Sequence, residues 1–195
     1  MFGFSIVSEL AEIMRCEKKG VFSLTGKNFL KGVGTYFFAE ILCLFLALTL
    51  SAVGGAVTRV ISAVCTAAVL ICLCINFAVN RGKEDKKREI PNRIGRRFFW
   101  SISVSALFLL LGICLLLSRC AVLPDGFYRW YKIFDAPFLQ LCNFFSRDVM
   151  THTLSWGAAV FLAVLNFLPF AVTWVTYDLT RKGFVPEELT YERKK

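Results

Sequence analysis

Residues 75–89 read INFAVNRGKEDKKRE: an apolar run closes on Asn76, Phe77, Asn80 and Arg81 and gives way at once to dense charge. The run itself begins at Ala56. A hydrocarbon core of about 30 Å takes roughly 20 mostly apolar residues at 1.5 Å each, so residues 56–79 are long enough to span it. Working outward, residues 36–53, 98–117 and 154–177 meet the same length and composition. The fold class this predicts is all-α: a polytopic membrane protein with four transmembrane helices arranged as two hairpins. With 56% hydrophobic residues and 20 Phe in 195, a soluble chain would have nowhere to bury its apolar surface.

Orientation follows from the basic residues, because Lys and Arg in short loops stay on the cytoplasmic side. Of the 23, 18 lie before the first span, between spans two and three, or after the fourth. Only Arg59, Arg119, Arg129, Lys132 and Arg147 fall on the other side. The expected location is the cell membrane with both termini cytoplasmic. The net charge of +9 is explained by topology and by attraction to anionic membrane lipid, and nucleic acid is not an expected partner. Glu9 and Glu12 interrupt the apolar N-terminus and no basic segment precedes it, so no cleaved signal peptide is expected.

The chain divides into a cytoplasmic amphipathic segment (1–33), a first transmembrane hairpin (34–83), a basic cytoplasmic loop (84–97), a second hairpin (98–183) and a cytoplasmic tail (184–195). In the first segment Ile6, Val7, Leu10, Ile13 and Met14 gather on one side of a helix, which either lies in the inner interface or docks on the bundle. Gly54 and Gly55 make the turn of the first hairpin. The second hairpin is joined by a long outer segment, 119–153. Phe127, Trp130, Tyr131, Phe134, Phe138, Leu141 and Phe145 recur there in steps of three and four, which suits a helix lying in the outer interface and broken near Pro137. An anchoring belt and a lid over a substrate path are both compatible with that pattern.

Polar residues inside spans tend to face the bundle or a wet cavity, where they often mark function. Placed by the span ends, Glu40, Asn76, Asn80, Ser103, Thr173 and Asp178 form a belt at the cytoplasmic level. Glu40 is expected about one turn inside the first span, with snorkelling to the interface as its bland role. Asn166 and Pro169 lie deeper, at a kink that is either structural or a hinge. The eight cysteines offer no metal-ligand spacing and suit packing. Cys120 and Cys142 alone face the outer side, as a pair or as two free thiols. A single His152, no nucleophile grouped with it and no glycine-rich phosphate loop exclude the usual enzyme classes, and no cofactor or metal is expected.

At an offset of one hundred, Asn76, Phe77, Val79, Asn80 and Arg81 align with Thr176, Tyr177, Leu179, Thr180 and Arg181, the outline of a parallel internal repeat. FLKGVGTYFFAEILCLFLAL (29–48), INFAVNRGKED, RRFFWSISVSALFLLL and TYDLTRKGFV together resemble the GtrA-like family of small four-span membrane proteins. The outer connection here is longer and more aromatic than in that pattern. The resemblance implies movement of a polyprenyl-phosphate-linked sugar across the membrane for cell-envelope polysaccharide or teichoic-acid glycosylation. Arg81, Arg93, Arg96, Arg97, Arg181 and Lys182 would then hold the lipid phosphate, since their N–H groups make charge-assisted hydrogen bonds to its oxygens. The alternative is a non-transporting accessory subunit that docks a glycosyltransferase, another membrane partner or anionic lipid. At 22 kDa a homo-oligomer is also plausible.

Overall fold

The computed structural model describes residues 29–90 and 94–184, and every element among them is helical. The chain runs through α1 (Phe29–Val53), α2 (Ala56–Lys87) and α3 (Ile94–Arg119), then α4 (Phe127–Phe134), a 3-10 turn (Ala136–Phe138) and α5 (Leu139–Phe145). It closes with α6 (Trp156–Leu165) and α7 (Leu168–Arg181). The helices α1, α2 and α3 and the segment Trp156–Arg181 are each long and apolar enough to cross a membrane, which makes this a multi-pass membrane protein. Their outer faces agree: Ile41, Phe45 and Leu48 on α1 and Val57, Val60 and Val64 on α2 are all exposed, a continuous apolar coat suited to lipid rather than water.

Small residues set the helix crossings. A Cβ on Gly32 would lie 2.5 Å from Ser103 Oγ of α3, and one on Gly82 would lie 2.8 Å from Thr180 Cγ2 of α7. The backbones therefore approach closely at those points, as at other intramembrane crossings. Gly54 and Gly55, with φ of 77° and 94°, take the left-handed conformations that make the α1–α2 turn. One core cluster gathers Tyr36, Leu70, Phe77, Trp100, Phe108, Phe138 and Tyr177. A second, containing Leu115, Tyr128, Tyr131, Leu154 and Leu162, lies toward the end opposite the basic loop.

Two boundaries differ from the expectation. α1 starts at Phe29, so Glu40 stands eleven residues in, roughly 16 Å along the axis at 1.5 Å per residue, near the middle of the helix rather than one turn inside it. α2 continues to Lys87, because Glu84 pairs with Arg81 at 2.6 Å and with Arg88 at 2.8 Å along the helix, spacings that favour helix over loop. The fourth segment is interrupted at Asn166–Phe167, at the kink the sequence places there, where Pro169 has no N–H to give the carbonyl of Leu165. The amphipathic N-terminal pattern, Arg93 and residues 185–195 lie outside the described residues.

The largest departure is the outer segment, which does not lie flat. α4 and α5 form a helical hairpin whose tip, Asp135 to Phe138, is buried in the bundle. Tyr36 Oη of α1 donates to the Phe134 carbonyl at 2.8 Å. The Ala136 N–H donates to Glu40 Oε2 at 2.9 Å, and Thr66 Oγ1 of α2 donates to the Pro137 carbonyl at 2.8 Å. Thr66 and Asn166 stand ten residues from Ala56 and Trp156, roughly 15 Å inward at 1.5 Å per residue. The hairpin thus enters from the end opposite the basic loop and turns at the middle of the helices. The break near Pro137 is where the sequence places it, but the aromatic stripe is split: Tyr131 and Phe138 are buried, whereas Trp130 and Phe134 face outward. Cys142 is buried in α5, Cys120 is exposed, and both are free thiols.

Candidate functional site

At the basic end a cleft of about 420 Å³ opens between α1 and α2. Lys31, Gly34, Thr35 and Phe38 line it from α1, and Leu73, Asn76, Phe77, Asn80 and Arg81 from α2. Gly34 is what leaves the space: a Cβ there would meet nothing within 4 Å. The walls are polar at one end and apolar at the other. Lys31 has no ion-pair partner among the described residues. Asn80 Nδ2 donates to Asn76 Oδ1 at 3.1 Å, which leaves the Asn76 amide hydrogens and the Asn80 carbonyl oxygen for a ligand.

Arg81 is held rigidly. Its guanidinium pairs with Glu84 and lies over the rings of Phe77 at 5.5 Å and Trp100 at 5.1 Å. These contacts fix its direction and reduce the side-chain entropy that binding an anion would otherwise cost.

The other basic residues proposed from sequence are spread over separate tasks. Arg96 makes a two-pronged contact with Asp85, Nε to Oδ2 at 2.9 Å and Nη2 to Oδ1 at 2.8 Å. Arg97 pairs with Asp178 Oδ1 at 2.9 Å, and Lys182 with Asp178 Oδ2 at 2.7 Å. Arg181 Nη2 donates to the Ile90 carbonyl. Of the six, Arg81 alone lines the cleft among the described residues.

The polar belt is likewise divided. Asn76 and Asn80 face the cleft. Ser103 Oγ donates to the Trp100 carbonyl at 2.8 Å and fills the space opposite Gly32. Thr173 is buried beside Cys74, and Glu40 serves the hairpin tip. Asn166 sits at the break in the fourth segment, where its Nδ2 donates to Tyr131 Oη at 3.0 Å, and Pro169 is buried one turn on.

Sequence reasoning missed Lys31, Gly34 and Asp85. Asp85 accepts four hydrogen bonds, two from Arg96, one from Trp100 Nε1 at 2.9 Å and one from Tyr177 Oη at 2.7 Å, and so ties α2, α3 and α7 together at the basic end. In the run RGKEDKKRE it reads as one charge among many. The available signal was its spacing behind Phe77 and Arg81 on one helical face. Lys31 counts in the sequence only as a topological charge, and Gly34 only as a small residue.

No protein-family model, curated protein or solved structure matches this chain.

Proposed function

We propose that the protein binds the phosphate headgroup of a membrane lipid in the α1–α2 cleft, at the cytoplasmic face of the cell membrane, and that a polyprenyl-phosphate-linked sugar is its cargo. The observation that supports this is the composition of the cleft. An ammonium with no ion-pair partner among the described residues and a guanidinium stacked on two rings stand at its basic end, two amides beside them, and Phe38, Leu73 and Phe77 lead toward the membrane interior. An anionic headgroup, its hydroxyls and the first part of an acyl or prenyl chain have their complements in that order.

Above the cleft the bundle is closed by Tyr36, Leu70, Phe77, Phe108 and the hairpin residue Phe138, all buried. That closure favours a second reading, in which the protein presents the lipid to a membrane partner such as a glycosyltransferase without carrying it across. In the transport reading the α4–α5 hairpin is the element that must move.

Purified protein in mild detergent, titrated with a polyprenyl phosphate and followed by native mass spectrometry, tests the shared step. Binding should weaken about tenfold in Lys31→Gln, the loss of one charge-assisted hydrogen bond, and should fall sharply in Gly34→Leu, which fills the cleft. Arg59→Gln, at the opposite end, should bind normally. Proteoliposomes loaded with the labelled lipid-linked sugar then separate the readings: protein-dependent movement supports transport, and binding without movement supports the accessory role. Binding that is absent, or equal in all variants, overturns both.

A further inference from the structure

The α4–α5 hairpin brings two carboxylates to the middle of the helices, and neither has a cationic partner. Asp135 at the tip is fully buried with Tyr131 Oη and the Asn166 side chain beside it, and neither of its carboxylate oxygens makes a well-aligned hydrogen bond. Glu40 is also buried. Its Oε2 accepts from the Ala136 N–H, but its Oε1 is unpartnered. Among the described residues no Lys or Arg pairs with either acid. Lys132, one turn before the tip, directs its ammonium away, to the carbonyls of Ser146 and Asp148 at 2.8 Å each.

A polar side chain from a further element stands beside Asp135. Asn166 is fully buried beside Asp135, its Nδ2 donates to Tyr131 Oη, and its Oδ1 has no partner. This amide comes from a different element, the break between α6 and α7. Two interruptions of helix therefore lie at one level, the hairpin tip and the Asn166–Phe167 break. Irregular backbone at membrane depth is tolerated where it is buried in protein or lines a polar site, and broken helices are a recurrent way of building ion sites there. Two unpaired carboxylates at such depth would each cost several kcal/mol if left charged and alone, while a bound cation removes that cost.

We propose that the hairpin tip is a monovalent-cation site, in which Glu40, Asp135 and the Asn166 amide oxygen take up a sodium ion or a proton. The donor set is hard oxygen, suited to such an ion and unsuited to zinc or copper, which favour His and Cys. The other titratable groups around it are Tyr36 and Cys43 from α1, Tyr131 and Lys132 from α4 and Cys142 from α5. The Tyr36 hydroxyl and the Cys43 thiol donate to the carbonyls of Phe134 and Thr66, which leaves the two acids as the groups that exchange charge. The site is independent of the lipid cleft, since it lies deeper and shares no lining residue with it.

Thermal unfolding of the detergent-solubilised protein, followed by tryptophan fluorescence, reads occupancy, because an ion that binds the folded state raises Tm with its concentration. Sodium chloride is compared with choline chloride at equal ionic strength, at pH 8 and at pH 5.5. If sodium is the ligand, Tm at pH 8 rises with sodium and not with choline. If the proton is the ligand, sodium is inert and Tm rises as pH falls, since the folded state then binds more protons than the unfolded one. In both cases Asp135→Asn and Glu40→Gln should flatten the dependence, and Asp135→Asn at pH 8 without sodium should melt above the wild type. If one variant fails to fold, the other decides, and if neither folds the wild-type series decides alone. A wild-type Tm indifferent to sodium and to pH, or a dependence that persists unchanged in both variants, overturns the proposal.

Discussion

The Tyr177 hydroxyl donates to Asp85 Oδ2 at 2.7 Å across 92 residues of sequence. This contact joins the end of the fourth transmembrane segment to the end of the second, and the same oxygen accepts from Trp100 Nε1. A carboxylate with four donors, only 3% exposed at its side chain, holds three helices at the end where the cleft opens. Removing it by Asp85→Ala leaves Arg96, which is 30% exposed, to be rehydrated. The expected loss is therefore about 3 kcal/mol, the lower end for breaking a buried ion pair. Tyr177→Phe removes one donor of the four and should cost about 1.5 kcal/mol. Equilibrium unfolding in mixed micelles checks both values, and a Tyr177→Phe loss as large as that of Asp85→Ala would show that the hydroxyl, not the ion pair, is the main tie.

The four spans were legible because their signal is additive: some twenty apolar residues in a row leave few alternatives to a membrane-crossing helix. The hairpin was not, and the reason is geometric. A stripe formed by Tyr131, Phe138 and Leu141 looks the same whether its apolar face meets lipid headgroups or the inside of a bundle. Arg129 and Lys132 lie off that stripe, which suits a surface helix, yet Arg129 is exposed and Lys132 reaches back to the hairpin base. What the pattern lacked was the tertiary partners, Tyr36, Glu40 and Thr66, which lie 70 to 100 residues away. In the candidate site Asn76, Asn80 and Arg81 were legible as a polar span end, but a cleft also needs an absence, and the space beside Gly34 is not written as a pattern.

The hairpin makes a topological prediction. In a cysteine-free background, Ala136→Cys should resist an impermeant thiol reagent applied to intact cells and react only after denaturation, because Ala136 is buried at the tip. Arg147→Cys, exposed at the hairpin base, should react promptly. Equal labelling at the two positions would return the segment to the surface. Lys86→Cys should react only after lysis, and its labelling in intact cells would reverse the orientation.

Helix crossings at single glycines predict a steep response to one carbon. Gly82→Ala would set a Cβ 2.8 Å from Thr180 Cγ2 and 2.9 Å from its Cβ, so α2 and α7 must separate, at a cost of about 1 to 3 kcal/mol. The double variant Gly82→Ala, Thr180→Ser removes the clashing methyl but keeps the Thr180 Cβ contact, and should recover only part of that loss. At Gly34, where no atom is near, alanine should leave stability within about 0.5 kcal/mol. Unfolding of the three variants and the wild type under one condition tests the contrast, and no recovery at all in the double variant would place the strain elsewhere.

The last prediction concerns Arg81 and Arg181, which occupy equivalent positions one hundred residues apart and close two helices that leave at the same end. Their surroundings differ. Arg81 is stacked on Phe77 and Trp100 and lines the cleft, whereas Arg181 donates to the Ile90 carbonyl and so secures the connection between α2 and α3. Sequence equivalence therefore does not carry functional equivalence. Arg81→Gln should weaken polyprenyl-phosphate binding about tenfold or more, the loss expected for a charged hydrogen bond. Arg81→Lys should recover part of it, because an ammonium keeps the charge but not the planar stacking that fixes its direction. Arg181→Gln should leave binding close to wild type and instead speed proteolysis in the α2–α3 connection. Measured at matched folded protein, a loss of binding in Arg181→Gln equal to that in Arg81→Gln would show that the two arginines share one headgroup after all. A full recovery in Arg81→Lys would reduce Arg81 to a simple positive charge at the membrane surface.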